Sequence, residues 1–154
     1  MKKLLLVLIA VLGISVAASA QSKAIGIRAG GGQGYGTELS YQQALGGISR
    51  LEADLGFYGY STFGLALIYQ IHNDIPAVPN LGWYAGVGGR VTMSTYYGTY
   101  FNIGAVAQAG VDYNLQPVIN LPLQVSLDIR PCLYLYPATA FYWGDIALGI
   151  RWMF

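Results

Sequence analysis

The chain has 154 residues, a formal net charge of +1 and one cysteine, Cys132. That is one domain's length, with no basic balance to draw nucleic acid and no cysteine pair to staple a small fold. Only 10% of the residues are charged and 55% are hydrophobic, whereas an ordinary soluble domain carries roughly 25% charged residues.

The first segment reads as export machinery. Lys2 and Lys3 form a positive start, Leu4 to Val16 an apolar run, and Ala18-Ser19-Ala20 a small-residue cleavage site before Gln21. The apolar run is shorter than the roughly 20 residues of a spanning helix. Residues 1–20 are therefore expected to be a cleaved signal peptide, and 21–154 a single mature domain. No cysteine follows the cleavage site, which argues against a lipid anchor. Losing Lys2 and Lys3 takes the formal charge from +1 to −1.

Gly, Asn, Pro and Ser clusters cut the mature chain into eight alternating segments, at about 24–31, 37–45, 50–58, 62–72, 82–93, 100–113, 121–134 and 142–154. Each is near the 9–11 residues of a tilted membrane strand, or slightly longer. No helical period and no linker interrupt them. The charges sort the two faces. Arg28 lies opposite Ile25 and Ile27, and Glu38 opposite Leu39 and Tyr41. Glu52 and Asp54 alternate with Leu51, Ala53 and Leu55, and Arg90 lies opposite Val87 and Val91. Asp112 opposes Ile103 and Val111, while Asp128 and Arg130 oppose Leu127 and Ile129. In the last segment Ile146, Leu148, Ile150, Trp152 and Phe154 share one parity, and Asp145, Ala147, Gly149, Arg151 and Met153 the other.

Successive strand side chains point to opposite faces, so every strand charge faces away from the bulky apolar row. A soluble lipocalin-like barrel would turn that row inward. The polar row, mostly Gly, Ala, Ser and Gln, is too poor in charge for a soluble surface. Facing lipid, each midplane Arg would cost roughly 2–4 kcal/mol. The charges are expected inside. In lipid, a chain without helical spans hides its backbone polar groups in a closed barrel. The predicted fold is all-β, an eight-stranded antiparallel up-and-down transmembrane β-barrel.

The aromatics group at strand ends. One set is Tyr35, Phe57, Tyr58, Tyr60, Phe63, Tyr96, Tyr97, Tyr100, Phe101, Tyr134, Tyr136, Phe141, Tyr142 and Trp143. The other is Tyr41, Tyr69, Trp83, Tyr84, Tyr113, Trp152 and Phe154. Two such sets read as the aromatic girdles of a membrane barrel.

Gly82-Trp83-Tyr84-Ala85-Gly86-Val87-Gly88-Gly89, Leu127-Asp128-Ile129-Arg130-Pro131 and the closing segment 145–154 resemble the small eight-stranded outer-membrane barrels of Gram-negative bacteria, the opacity-protein and outer-membrane-protein-A-like group. The resemblance covers the whole mature chain and specifies fold and location rather than an activity. It implies a monomer in the outer membrane among its lipids, inserted by the barrel-assembly machinery. Ile150, Trp152 and Phe154 would then be the closing signal which that machinery reads. Two departures stand out: the exposed loops are short for that group, and the separate periplasmic peptidoglycan-binding domain of some relatives is expected to be absent. With both termini periplasmic, the exposed loops fall near 30–36, 59–61, 94–99 and 137–141, and the periplasmic turns near 46–49, 73–80 and 114–120.

Chemistry is sparse. His72, the single histidine, stands beside Asn73 and Asp74; without other catalytic groups nearby it reads as a solvated turn residue rather than a general base. No cluster of His, Cys and carboxylates suggests a metal, and no cofactor is expected. The glycines of 30–36 superficially match a phosphate loop, but a strand follows them and not a helix, so an exposed turn is expected. The remaining constellation is the lumen set Arg28, Glu38, Glu52, Asp54, Arg90, Asp128, Arg130 and Arg151. Buried charges persist when paired, so Glu52 and Asp54 are expected to meet Arg28, Arg130 or Arg151. The predicted role is structural or surface-interacting, not enzymatic, with the lumen filled by an ion-pair network. The alternatives are a narrow ion-conducting channel, an outer-leaflet lipid-modifying enzyme and a soluble lipocalin-like binder. These residues specify no particular surface or periplasmic protein partner.

Overall fold

A lone sheet with two unlike faces can bury one by curling onto itself, and closure removes the two edges that lipid cannot satisfy. The computed structural model describes residues 23–31, 36–59, 61–95 and 98–154. In chain order it contains β1 (Lys23–Gly31), β2 (Gly36–Gly46), β3 (Ser49–Tyr58), β4 (Thr62–Asp74), β5 (Leu81–Ser94) and β6 (Tyr100–Asn114). There follow the one-turn helix α1 (Gln116–Ile119), β7 (Leu123–Tyr136) and β8 (Ala140–Met153). The eight strands form one closed antiparallel barrel in sequence order. Pairs from Ala24↔Met153 to Gly31↔Ile146 join β8 to β1. Phe154 and Lys23 then exchange backbone hydrogen bonds of 2.9 and 3.2 Å, extending the seam by one step.

The strands agree with the predicted segments to within two residues at each end. The expected signal peptide, residues 1–20, lies outside the described residues, as do loop positions 32–35, Tyr60, Tyr96 and Tyr97.

Local chemistry explains the irregularities. The β6–β7 connection, expected as a plain turn, winds into α1, with Pro117 in its first turn, where a missing N–H costs nothing. Asn120 closes it in the left-handed conformation (φ 56°), donating its N–H to the Gln116 carbonyl at 2.9 Å. Pro131 lacks the N–H a central strand needs, and the β7–β8 register shifts between Arg130 and Cys132. Opposite it, Gly144 takes φ +92°, and any Cβ there would collide with the Arg130 carbonyl. This bulge switches parity in β8, so the exposed row passes from Phe141 and Trp143 to Ile146, Leu148, Ile150 and Trp152.

The distribution of exposure decides which kind of barrel this is. Val87 is 67% exposed and Ile146 65%, while Arg28 is 2% exposed and Glu52 and Arg130 are 0%. Aliphatics outside and charges inside are the reverse of a soluble barrel, so the strands cross a membrane. Among the described residues no helix is long and apolar enough to cross one.

One expectation about the aromatics is corrected. Tyr84 and Tyr134 are buried, and Tyr58 and Tyr142 are half-buried against lumen groups. They stand at strand ends as predicted, but on the inner face. Tyr84 shares the parity of Arg90, and Tyr58 that of Asp54. The outer belt keeps Phe57, Phe63, Tyr100, Phe101, Tyr136, Phe141 and Trp143 at one end, and Tyr69, Trp83, Trp152 and Phe154 at the other.

Candidate functional site

Alternation fixes which side chains enter the lumen, and closure then fixes which of them meet. Arg130, on β7, reaches three acids from strands across the barrel. Its Nη1 donates to Glu38 Oε2 at 2.9 Å, and its Nη2 to Glu52 Oε1 at 2.9 Å and Asp54 Oδ2 at 2.5 Å. Arg28, on β1, grips Asp128 through Nη2 at 2.6 Å and Nε at 3.0 Å, and reaches Glu38 through Nη1 at 3.0 Å. Glu38 is thus shared between two guanidiniums, and its other oxygen accepts the Tyr58 hydroxyl.

Arg151, on β8, is held mainly by hydroxyls, Ser40 at 2.9 Å and Ser126 at 2.7 Å, and approaches Glu52 at 3.4 Å. Its own strand makes room two residues earlier. Gly149 pairs with Ser126, and a Cβ there would strike the Ser126 hydroxyl and the Arg151 guanidinium. Arg90 stands over the Tyr58 ring at 4.6 Å, with its Nη2 3.9 Å from Glu38. All eight predicted lumen residues are therefore buried and within one connected assembly. Glu52 and Asp54 meet Arg130, and Glu52 also Arg151, whereas Arg28 goes to Glu38 and Asp128 instead.

Three components were not anticipated. Arg50 is 8% exposed and bonds Asp112 at 2.9 Å and Gln70 at 2.5 Å. It shares the parity of Glu52 and Asp54, so its inward direction was legible. With it and Asp112, the buried charges among the described side chains are five arginines and five acids. The second component is a glutamine layer. Gln42, Gln70 and Gln108 all donate to Glu52, at 2.6, 2.9 and 3.3 Å. Their amides spread that carboxylate's charge without adding any of their own. The third is an apolar cluster of Ala66, Ile68, Val106, Cys132 and Tyr134, with Tyr142 packed against it, which seals part of the lumen beside the ion pairs. Cys132 sits in it as a small buried side chain.

His72 departs from the expected solvated turn. It lies within β4, half-buried, with Nε2 3.0 Å from Asp112 Oδ1. Asp112 also accepts from Arg50 and Gln124, so the pair is anchored rather than poised. Ser49, a neighbour across the β3–β4 ladder, turns its hydroxyl to Tyr69 at 2.7 Å on the outer side, leaving His72 without that hydroxyl as a nucleophile. Among the described residues no three His, Cys, Asp or Glu side chains are placed to hold a metal.

The hydrogen bonds run in sequence along the lumen, from His72 and Asp112 through Arg50, Gln70, Glu52, Arg130 and Glu38 to Tyr58. A cavity lies at each end. One, of about 550 Å³, is lined by Arg50, His72 and Asp112 among others, and the other, of about 200 Å³, by Tyr58, Arg90 and Tyr142 among others. Chemically, the arrangement can fill the barrel and hold its strands in register. It can pass an ion only by exchanging partners.

No family model matches the chain, and no curated protein matches it in sequence. Solved structures do. The N-terminal β-barrel domain of Pseudomonas aeruginosa OprF aligns with a TM-score of 0.71 at 17% identity, covering 88% of this chain and 100% of that one. A de novo designed transmembrane β-barrel aligns at 0.64 with 15% identity, covering 89% and 98%. Neisserial surface protein A aligns at 0.60 with 12% identity, covering 89% and 100%. The chain has the fold of the small eight-stranded outer-membrane barrels.

Proposed function

We propose that this chain is a small monomeric barrel of the outer membrane, exported by a cleaved signal peptide, with a structural or surface-interaction role and a closed lumen. The observation that carries the reading is the pairing of an apolar exterior with buried, mutually paired arginines and acids inside, ten of them among the described side chains. Eight strands leave an interior just wide enough for side chains, and here Arg130, Arg28 and their acids occupy it. Likeness to the OprF barrel domain and Neisserial surface protein A supports the location. Ile150, Trp152 and Phe154, on the exposed row of the closing strand, are the proposed contact for the assembly machinery. No enzymatic role is proposed, because His72 and Asp112 are held in a structural triad with Arg50.

The test is fractionation and gel mobility in a Gram-negative host. The barrel should partition with the outer membrane and migrate differently with and without boiling. Heat-insensitive material in the soluble periplasm would overturn the proposal.

A second reading, a narrow ion channel, is favoured by the cavities at both ends, which leave the ion-pair layer and the adjoining apolar cluster as the barrier between them. Planar-bilayer recording separates the two. The closed-lumen reading expects no discrete, ion-selective openings.

A further inference from the structure

The cavity of about 550 Å³ at the end bearing Lys23 and Met153 is a cup rather than a passage. Its floor is closed by Arg50, whose guanidinium lies 4.5 Å over the Tyr84 ring, with Glu52 and its glutamines beyond. The volume falls in the range of about 300–1,000 Å³ that encloses drug-sized molecules, and barrel mouths are a recurrent place for such sites.

The cup's lining is divided. Ile48, Ile75 and Val78 from two turns form apolar walls. Ile48 and Val78 are 52% and 43% exposed, so aliphatic surface is left open at the mouth. Five titratable residues line the cup: Arg50 from β3, His72 and Asp74 from β4, Asp112 from β6, and Lys23 at the start of β1. Asp112 is engaged by three partners. At the floor, Arg50 Nη2 and Gln124 Oε1 are buried without hydrogen-bond partners, and each belongs to a residue lining the cup. At the rim, Asp74 is exposed and has no ion pair among the described residues.

A spare cationic donor below, apolar walls between and a free carboxylate above are complementary to a zwitterion with an apolar body. We infer that the cup binds short apolar peptides with both termini free, the carboxylate turned to Arg50 and the ammonium to Asp74. A guanidinium suits a carboxylate because its nitrogens form a planar fork. A fatty acid would leave Asp74 unanswered, and a simple amine would leave Arg50 so.

The experiment is calorimetric titration of the barrel in lipid nanodiscs with alanyl-leucyl-alanine, its N-acetyl form and its C-terminal amide. The free tripeptide should bind saturably. Blocking either end should weaken binding roughly tenfold or more, the size of one lost charge-assisted hydrogen bond. Asp74→Asn, an exposed change that leaves the lumen network intact, should weaken the free peptide and the amide while leaving the acetylated peptide unaffected. Absence of saturable binding at several millimolar would overturn the inference. So would a blocked peptide that binds as tightly as the free one, or an Asp74→Asn variant that weakens all three alike.

Discussion

Arg130 shows why a single lumen residue can matter out of proportion to its size. It is fully buried and serves Glu38, Glu52 and Asp54 at once. Arg130→Ala should cost on the order of 3–5 kcal/mol, because carboxylates stay behind in a dry site without their cation. Urea unfolding of the lipid-reconstituted barrel, followed by tryptophan fluorescence, measures it. A loss below about 1 kcal/mol would mean that water reaches the cluster and screens it as at a surface. Glu52→Gln placed on top should recover part of the loss, since it removes one stranded charge and keeps an amide that the neighbouring glutamines can bond. Tyr84→Phe is the milder contrast. It deletes the 3.0 Å bond to Asp128, but Arg28 still holds that carboxylate, so about 0.5–1.5 kcal/mol is expected from the same unfolding measurement.

Among the elements, β7 and β8 meet at a bulge whose backbone is tightly constrained. Gly144 needs its positive φ and has the Arg130 carbonyl where a Cβ would go, while Gly89, on the outer face of β5, has nothing nearer than 4.0 Å. Gly144→Ala should therefore destabilise by at least about 2 kcal/mol. Gly89→Ala should be neutral or stabilise by about 0.5 kcal/mol, since Gly in a strand interior carries excess unfolded-state entropy. Paired unfolding curves decide it, and equal effects would remove the bulge from the explanation. The end of β8 offers a test of assembly rather than stability. Phe154 is 54% exposed on the lipid-facing side, while Met153 lines the lumen mouth. Phe154→Asp should reduce the heat-modifiable, membrane-inserted form in cells far more than Met153→Asp. Equal yields would show that the row Ile150, Trp152 and Phe154 carries no special signal.

For the whole molecule, the interior behaves as a polar core and the exterior as the apolar surface. This inversion follows from the solvent: in hydrocarbon the exposed face gains nothing from charge, and the backbone must be satisfied internally. The paired lumen makes conductance the informative whole-barrel measurement. The unmutated barrel should be silent in planar bilayers, and Arg130→Ala should raise leakage if the network is the barrier. A conducting unmutated barrel would move the functional reading to the channel.

Much of this was present in the order of residues. Period-two alternation and the turn residues give eight strands, and the rule that charges inside the predicted segments lie opposite the bulky row gives their direction. Both are local, since each depends on a residue and its near neighbours. The inward direction of Arg50, Tyr84 and Tyr58 was legible in the same way, from the parity of Glu52, Arg90 and Asp54. Partner choice was not. Arg28 and Glu38 sit opposite each other in adjacent strands, but Arg28 meets Asp128 across a separation of 100 residues, and Arg130 meets Asp54 across 76. Those contacts depend on strand tilt and stagger after closure, which no local pattern encodes. The glutamine layer, the apolar cluster around Ile68 and the cup above Arg50 arise in the same way, from side chains of distant strands forced into one narrow volume.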